Sequence, residues 1–533
     1  MMPTPTAVSP EAYWAQFDID ESDVDFILNL LLDREVPLTT VEMAVEVVAQ
    51  RLRRLEQEAQ ATAEAEYVSY LPKESYEVGQ ILAFPALGGR IGRVVGVRPG
   101  ENPDLGEFEV IQVEFEGDGD RREFAARLED HALNAPPAPD LEGRELDTPE
   151  KVIERFGPRI EEVLEARLED IEDTVRIAGR WFPRALVADI NEGHLNLAEA
   201  VLDVAGGGPL PTKDLLETIE LPPNLSPQLA EFSLDYALQE DERFDEVGPA
   251  GQVLWYLRRL EPPEVQFTPP RLEWQGEIPD RSTLTEELRA LEARLDDEWV
   301  PQGDPIEPSN EVTISLIFPH WRVGSLPLSP RLKPLFPTAY EAPRIRFILV
   351  DAHSGERFPG WVVREKGYVI GLEDWYRQYD VPVGGLVTVR QGEAPGEVVV
   401  ETRDRRMRND WIRTAAVDDR GEIIFTMLKQ PVGTAYDDLM VVGVIDTQAL
   451  DEAWMKRKRK DIPLERTVAH VFRELAKLTP QSAVHAQTLY AAVNVVERQP
   501  PAAVFAELVS HPYFVHVGDL YWRFEASAWS GGE

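Results

Sequence analysis

Cysteine is absent from the 533 residues. That excludes a disulfide framework, cysteine zinc sites, iron–sulfur ligation and thiol nucleophiles together. No apolar run approaches the roughly 18 residues that a membrane-spanning helix needs. The start, Met1-Met2-Pro3-Thr4, lacks the basic and apolar pattern of a secretory signal, so a cytoplasmic protein with no membrane partner is expected. Positive charge is scarce, with 54 Lys+Arg against 96 Asp+Glu and a net charge of −42. What the chain does have is apolar residues at 43% and aromatics at 9%, enough for substantial cores. At roughly 100–200 residues per domain, about three to five domains are expected.

The acidity is uneven. Residues 341–533 carry 24 Lys+Arg against 28 Asp+Glu, a net of −4, while residues 1–340 carry the other 30 against 68, a net of −38. An acidic half repels nucleic acid and membrane phosphate; a near-neutral half can still present a basic face. Proline-rich stretches at 134–147, 261–281 and 301–310 read as linkers or domain edges. The expected divisions are a helical segment 1–70, a small β-barrel 71–134, and helices 149–260 leading into a module at 195–260. A linker with one helix follows at 261–310, then a β-barrel 311–400, a basic segment 401–460 and a last module 461–533.

In the first block, Glu21-Ser22-Asp23 caps one helix, and a second starts after Leu38-Thr39-Thr40. From Tyr76 the period changes to two, with strands around Ile81–Phe84, Gly92–Val97 and Phe108–Phe115. This run resembles the strand-turn-strand of SH3-like transcription modules. Gly88-Gly89-Arg90 is no phosphate cradle, because a strand follows it and no Gly-Lys-Ser/Thr ends it. Residues 149–200 read as charged amphipathic helices, with Val152, Phe156, Ile160, Val163 and Leu164 as a core stripe.

An internal repeat is the strongest feature. Leu238, Phe244, Val247 and Gly248 recur as Leu508, Phe514, Val517 and Gly518, giving Leu-x5-Phe-x2-Val-Gly twice. Each copy is followed by an aromatic run, Leu254-Trp255-Tyr256-Leu257 and Leu520-Tyr521-Trp522-Arg523-Phe524. The spacing predicts three helices and a two-strand hairpin, with Phe and Val entering one face and the Trp covering the helices. Residues 195–260 and, more loosely, 465–525 resemble the HARE-HTH winged-helix family, also found in the delta subunit of bacterial RNA polymerase and in some restriction proteins. The resemblance implies DNA, or a protein such as RNA polymerase, as partner. Acidic Glu240, Asp241, Glu242, Asp245 and Glu246 around the first wing favour protein there; the second copy follows a basic run and is the better nucleic-acid candidate.

Between the copies, residues 311–400 alternate as five or more short strands around one helix at 372–379, which suggests a small closed barrel. The order Leu326-Pro327-Leu328, Asp351, Gly355, Trp361, Tyr368, Trp375-Tyr376 and Gly384-Gly385 resembles the B3-like DNA-binding pseudobarrel. That family carries Gly-Asp where this chain has Gly384-Gly385. The resemblance makes Arg344, Arg346, Arg364 and Lys366 candidate phosphate contacts. A second set, Arg403, Arg405, Arg406, Arg408 and Arg413, surrounds Trp411, and a third is Lys456-Arg457-Lys458-Arg459-Lys460. Interleaved cations and aromatics suit phosphate contact with stacking.

No His-Glu-x-x-His, Gly-x-Ser-x-Gly or Walker lysine occurs, and no catalytic residue, cofactor or metal site is expected. Asp351 with Glu365-Lys366 is the nearest nuclease pattern, but adjacent strand residues face opposite ways. The fold class expected is α+β and multi-domain, with two winged-helix modules, two barrel-like modules and amphipathic helices. The function expected is non-enzymatic DNA binding or a transcription-associated role, with contacts in residues 341–533. The alternative is an acidic scaffold whose winged helices bind protein.

Overall fold

The chain is α+β and divides into two compact units, one of residues 1–176 with 180–187 and one of 177–179 with 188–533. The computed structural model describes residues 10–66, 68–84, 87, 90–102, 107–115, 120–129, 131–134, 148–223, 225–301, 309–394, 396–460 and 462–529. Gly88-Gly89 and most of the proline-rich stretches 134–147 and 301–310 therefore lie outside the described residues.

In the first unit, helices Glu21–Arg34, Thr40–Glu66 and Pro149–Glu169 close over Trp14, Ile27, Leu31, Val48, Ile160 and Leu164. Asp20, one residue before the expected cap, accepts from the Asp23 N–H in a capping box. Five strands between 68 and 126 pair in sequence order around Tyr70, Phe84, Ile111 and Phe115. Residues 149–200 are not helical throughout. Strands Thr174–Ile177 and Arg180–Pro183 interrupt them, because β-branched Thr174, Val175 and Ile177 lead into Ala178-Gly179, both at positive φ.

The second unit begins with α1 (Glu192–Val204), β1 (Leu210–Pro211), α2 (Thr212–Leu216), α3 (Pro227–Glu240), β2 (Phe244–Glu246) and β3 (Leu254–Leu257). The sheet order is β2-β3-β1. The proline-rich run that follows is packed, since Val265, Leu272, Leu284, Leu288, Leu291 and Leu295 are all buried, the last three on or beside α4 (Glu286–Arg294).

A seven-stranded sheet comes next. Its elements are β4 (Glu311–Ser315), α5 (Phe318–Val323), β5 (Ser325–Pro327), β6 (Arg344–Asp351), β7 (Arg357–Val363), β8 (Tyr368–Ile370), α6 (Glu373–Gln378), β9 (Leu386–Gln391) and β10 (Glu397–Thr402). The order is β4-β9-β10-β6-β7-β8-β5, antiparallel except for β6 with β10. Its end strands β4 and β5 do not pair with each other among the described residues, so hydrogen bonds do not close it.

A long ribbon of β11 (Asp404–Val417) and β12 (Ile423–Thr434), flanked by β13 (Gly443–Val444), leads to α7 (Thr447–Lys458). The chain ends with α8 (Leu464–Ala476), β14 (Ala483–His485), α9 (Ala486–Val496), α10 (Pro501–Ser510), β15 (Phe514–Gly518) and β16 (Tyr521–Phe524), in sheet order β14-β16-β15. Both repeat copies therefore share one plan. The short early strand pairs with the returning strand, which pairs with the leading strand. Phe244, Trp255, Phe514 and Trp522 are all buried.

Phe and Val do not share a face, however. Three residues apart is an odd spacing on a strand, so the side chains diverge. Phe244 joins the helices' core with Leu234 and Trp255, while Val247 packs with Tyr256, Val265, Trp361, Tyr368 and Ile370 against the seven-stranded sheet. In the second copy Phe514 is buried and Val517 is 44% exposed.

Candidate functional site

The basic candidates divide by what they touch. Arg344 pairs with Asp245 and Glu261, and Arg346 lies 5.9 Å from the Tyr256 ring, so both tie the first wing to β6. Arg364 donates to the carbonyls of Ala342 (2.7 Å) and Tyr340 (3.4 Å). Arg413 donates from Nη2 to Asp438 O (2.6 Å) and Val441 O (3.3 Å), while its buried Nε has no partner among the described residues. Lys366, Arg403 and Arg408 are exposed; the side chains of Arg405 and Arg406 lie outside the described residues. Trp411 is 62% exposed with Lys429 5.7 Å from its ring, the two being paired across the ribbon.

The run Lys456–Lys460 occupies the last turn of α7 and the residues after it, where cations favour the free carbonyls of a helix end. Helical spacing then sorts its members. Leu450 and Ala453 are the buried face of α7, and Arg457 continues that face. It donates to Thr467 Oγ1 (2.7 Å), and Thr467 in turn donates to Glu497 (3.2 Å). Lys458 pairs with Glu273 (2.9 Å) and lies 5.2 Å from the Trp454 ring, which Arg271 also contacts at 4.4 Å. Lys456, Arg459 and Lys460 are exposed.

The far turn of the ribbon meets this helix end. Gly421 at φ +80° closes it, and Asp418 Oδ1 accepts the N–H groups of Arg420 and Glu422 (2.9 Å each). Those bonds, the one from Glu422 first, hold the Asp418 carboxyl below its usual range. Glu422 thereby reaches the basic run, 3.8 Å from Arg457 and 3.6 Å from Lys460. Between turn and helix lies a cavity of about 230 Å³, lined by Arg420, Lys456, Arg457, Arg459, Lys460, His470 and, among the described residues, a single carboxylate, Glu422; Asp461 lies outside the described residues. A wider groove, about 840 Å³, runs between α6 and the ribbon past Tyr379, Met407 and Val432.

The second unit also buries an ionic network that no sequence pattern announced. Arg498 pairs with Asp297 and Glu298 (2.8 Å each), Tyr490 donates to Asp297 (2.5 Å), and His320 bonds Glu298 (3.1 Å) and Ser325 (2.8 Å). Burial alone would raise Glu298, but Arg498 and His320 bring its carboxyl down to about 2. Breaking such a pair by removing one partner costs about 3–5 kcal/mol. It fastens α9 to α5 and to the segment after α4.

Asp351 and Glu365-Lys366 are not brought together. Asp351 ends β6 and accepts from Tyr379 (2.6 Å) and Ser354, while residues 365–366 follow β7 beside the opposite end, about 23 Å of strand away. Among the described residues no group of three or more His, Asp or Glu is placed to hold a metal ion, and no helix is long and apolar enough to cross a membrane. No protein-family model, curated protein or solved structure matches this chain.

Proposed function

We propose that this protein is a non-enzymatic interaction scaffold, whose two winged-helix-like segments serve packing and protein contact and do not read DNA. One observation carries the reading. In helix-turn-helix proteins the last helix of the three enters the major groove, and cations meet the phosphates around it. Here α3 carries Glu231, Asp235 and Glu240 and no Lys or Arg, and α10 also has neither. Residues Pro501–Phe505 of α10 are buried, and the helix packs on α4. The first wing is buried against β7 and β8.

What is left outward is the second wing. Its strand β15 is an edge, with Val515 and the bulged Val517 each 44% exposed and Tyr521 39% exposed. An open edge with apolar side chains suits an added strand from a partner protein. Within the basic run, Lys458 is held by Glu273 at 2.9 Å.

The test is a titration of the full chain with duplex DNA and single-stranded RNA at low and at physiological salt. The expected result is no measurable affinity for either. An affinity that falls with salt at a slope of about −0.9 per phosphate contact overturns the reading. In parallel, a protein partner that the wild type retains should be lost by the double variant Val515→Ser, Val517→Ser.

A further inference from the structure

We infer that the cavity between the ribbon turn and the end of α7 is a binding site for a compact phosphate anion, of the inorganic phosphate or pyrophosphate class. The inference is independent of the scaffold reading. Among the described residues, five cations, Arg420, Lys456, Arg457, Arg459 and Lys460, line about 230 Å³ with one carboxylate, Glu422. In a chain of net charge −42, that is a large local inversion of sign.

Arg457 is the least exposed of the five. Its side chain is 12% exposed, and its Nε has no hydrogen-bond partner. Burial works against its charge, and Glu497 and Glu422 offset this only from a distance. Glu422 approaches Arg457 Nη1 and Lys460 Nζ at 3.8 and 3.6 Å, outside hydrogen-bond length, so neither nitrogen is hydrogen-bonded to it. A phosphate between them would take charge-assisted, forked contacts from arginine and point-charge contacts from lysine. The free carbonyls at the end of α7 oppose an anion, and the four cations in excess of carboxylate among the described lining residues outweigh them.

Size and field select the ligand. The cavity, about 230 Å³, is smaller than the roughly 300–1,000 Å³ of drug-sized ligand sites, which suits a compact ligand, and its cations make that ligand an anion. Glu273, Asp419 and Glu452 stand near the cavity's surroundings in sequence or contact, and the rest of the chain is strongly acidic. A long polyanion meets that repulsion; a single phosphate inside the cavity does not.

The experiment is calorimetric titration of the full chain at low salt with pyrophosphate, inorganic phosphate, sulfate and chloride, accompanied by melting curves. Pyrophosphate should bind most tightly and raise Tm. The double variant Lys456→Gln, Arg459→Gln changes two exposed side chains that hold no core contact, and should weaken binding at least about tenfold. Glu422→Gln removes the competing carboxylate and should tighten it several-fold. Absence of pyrophosphate binding in the wild type, equal affinity in the double variant, or weaker binding in Glu422→Gln each overturns the proposal. A duplex DNA arm separates the two readings. DNA affinity lost with Lys456 and Arg459 would make this a nucleic-acid contact and overturn the compact-anion site; DNA affinity untouched by that variant would overturn the scaffold alone.

Discussion

Asp235 shows how far one residue can separate two copies of the same plan. It sits on α3, buried, and accepts from Trp255 Nε1 (2.8 Å) and Thr212 Oγ1. Burial pushes its carboxyl up to about 7, and burial likewise pushes nearby Glu246 up to about 8. The strand register that sets Trp255 against Leu210 sets Trp522 against Val484, so Ala486 and Phe505 stand in the second copy where Thr212 and Asp235 stand in the first. Trp522 Nε1 accordingly finds no partner. A carboxyl raised in the folded state binds its proton more tightly there than in the unfolded chain. Its contribution is therefore complete below pH about 4 and is lost as pH rises through about 7. Asp235→Asn keeps an acceptor for both donors and cannot ionise. Urea midpoints of the second unit's transition should fall less steeply between pH 5 and 8 in this variant, each unit of pKa difference being worth about 1.4 kcal/mol. An unchanged slope would show that Asp235 is ionised in the folded protein.

At the scale of elements, both copies were legible because their spacing repeats and their tryptophans fall on returning strands. The second face of each hairpin was not legible, since what covers it comes from elsewhere in the chain. Val247 meets Val265, Trp361 and Tyr368; Val517 meets solvent. The prediction follows from that difference alone. Val247→Ser should cost about 2–3 kcal/mol, the burial of one valine and a new unpaired hydroxyl. Val517→Ser should stay within about 0.5 kcal/mol. Equal effects in chemical denaturation would mean that the first wing is not held against the sheet. Among the candidate site residues, Arg457 was legible in principle, four residues beyond Ala453 and seven beyond Leu450. The partners of Arg498 were not, because Asp297 and Glu298 lie some 200 positions away with no local pattern to mark them.

For the whole molecule, charge along the chain suggested a natural cut at residue 341, where a net of −38 gives way to −4. Packing does not follow charge. Strands β4 and β5 and helix α5 precede that point, yet β4 pairs with β9 along five residues and β5 with β8 along three. Leu284, Leu288 and Leu291 share one core with Phe472, Tyr490 and Phe505. Asp297 and Glu298 supply the only carboxylates on the buried guanidinium of Arg498 among the described residues. A fragment of 341–533 would thus expose both edges of a broken sheet, open the helical core, and leave a buried cation uncompensated at about 3–5 kcal/mol, comparable to a large part of a domain's net stability of about 5–15 kcal/mol. It should lack a cooperative urea transition and fixed near-ultraviolet dichroism. The fragment 188–533 keeps every one of those contacts and should melt in a single transition. Cooperative folding of 341–533 alone would mean that the strands and carboxylates before residue 341 are accessory to this fold, and that charge, after all, marks its boundary.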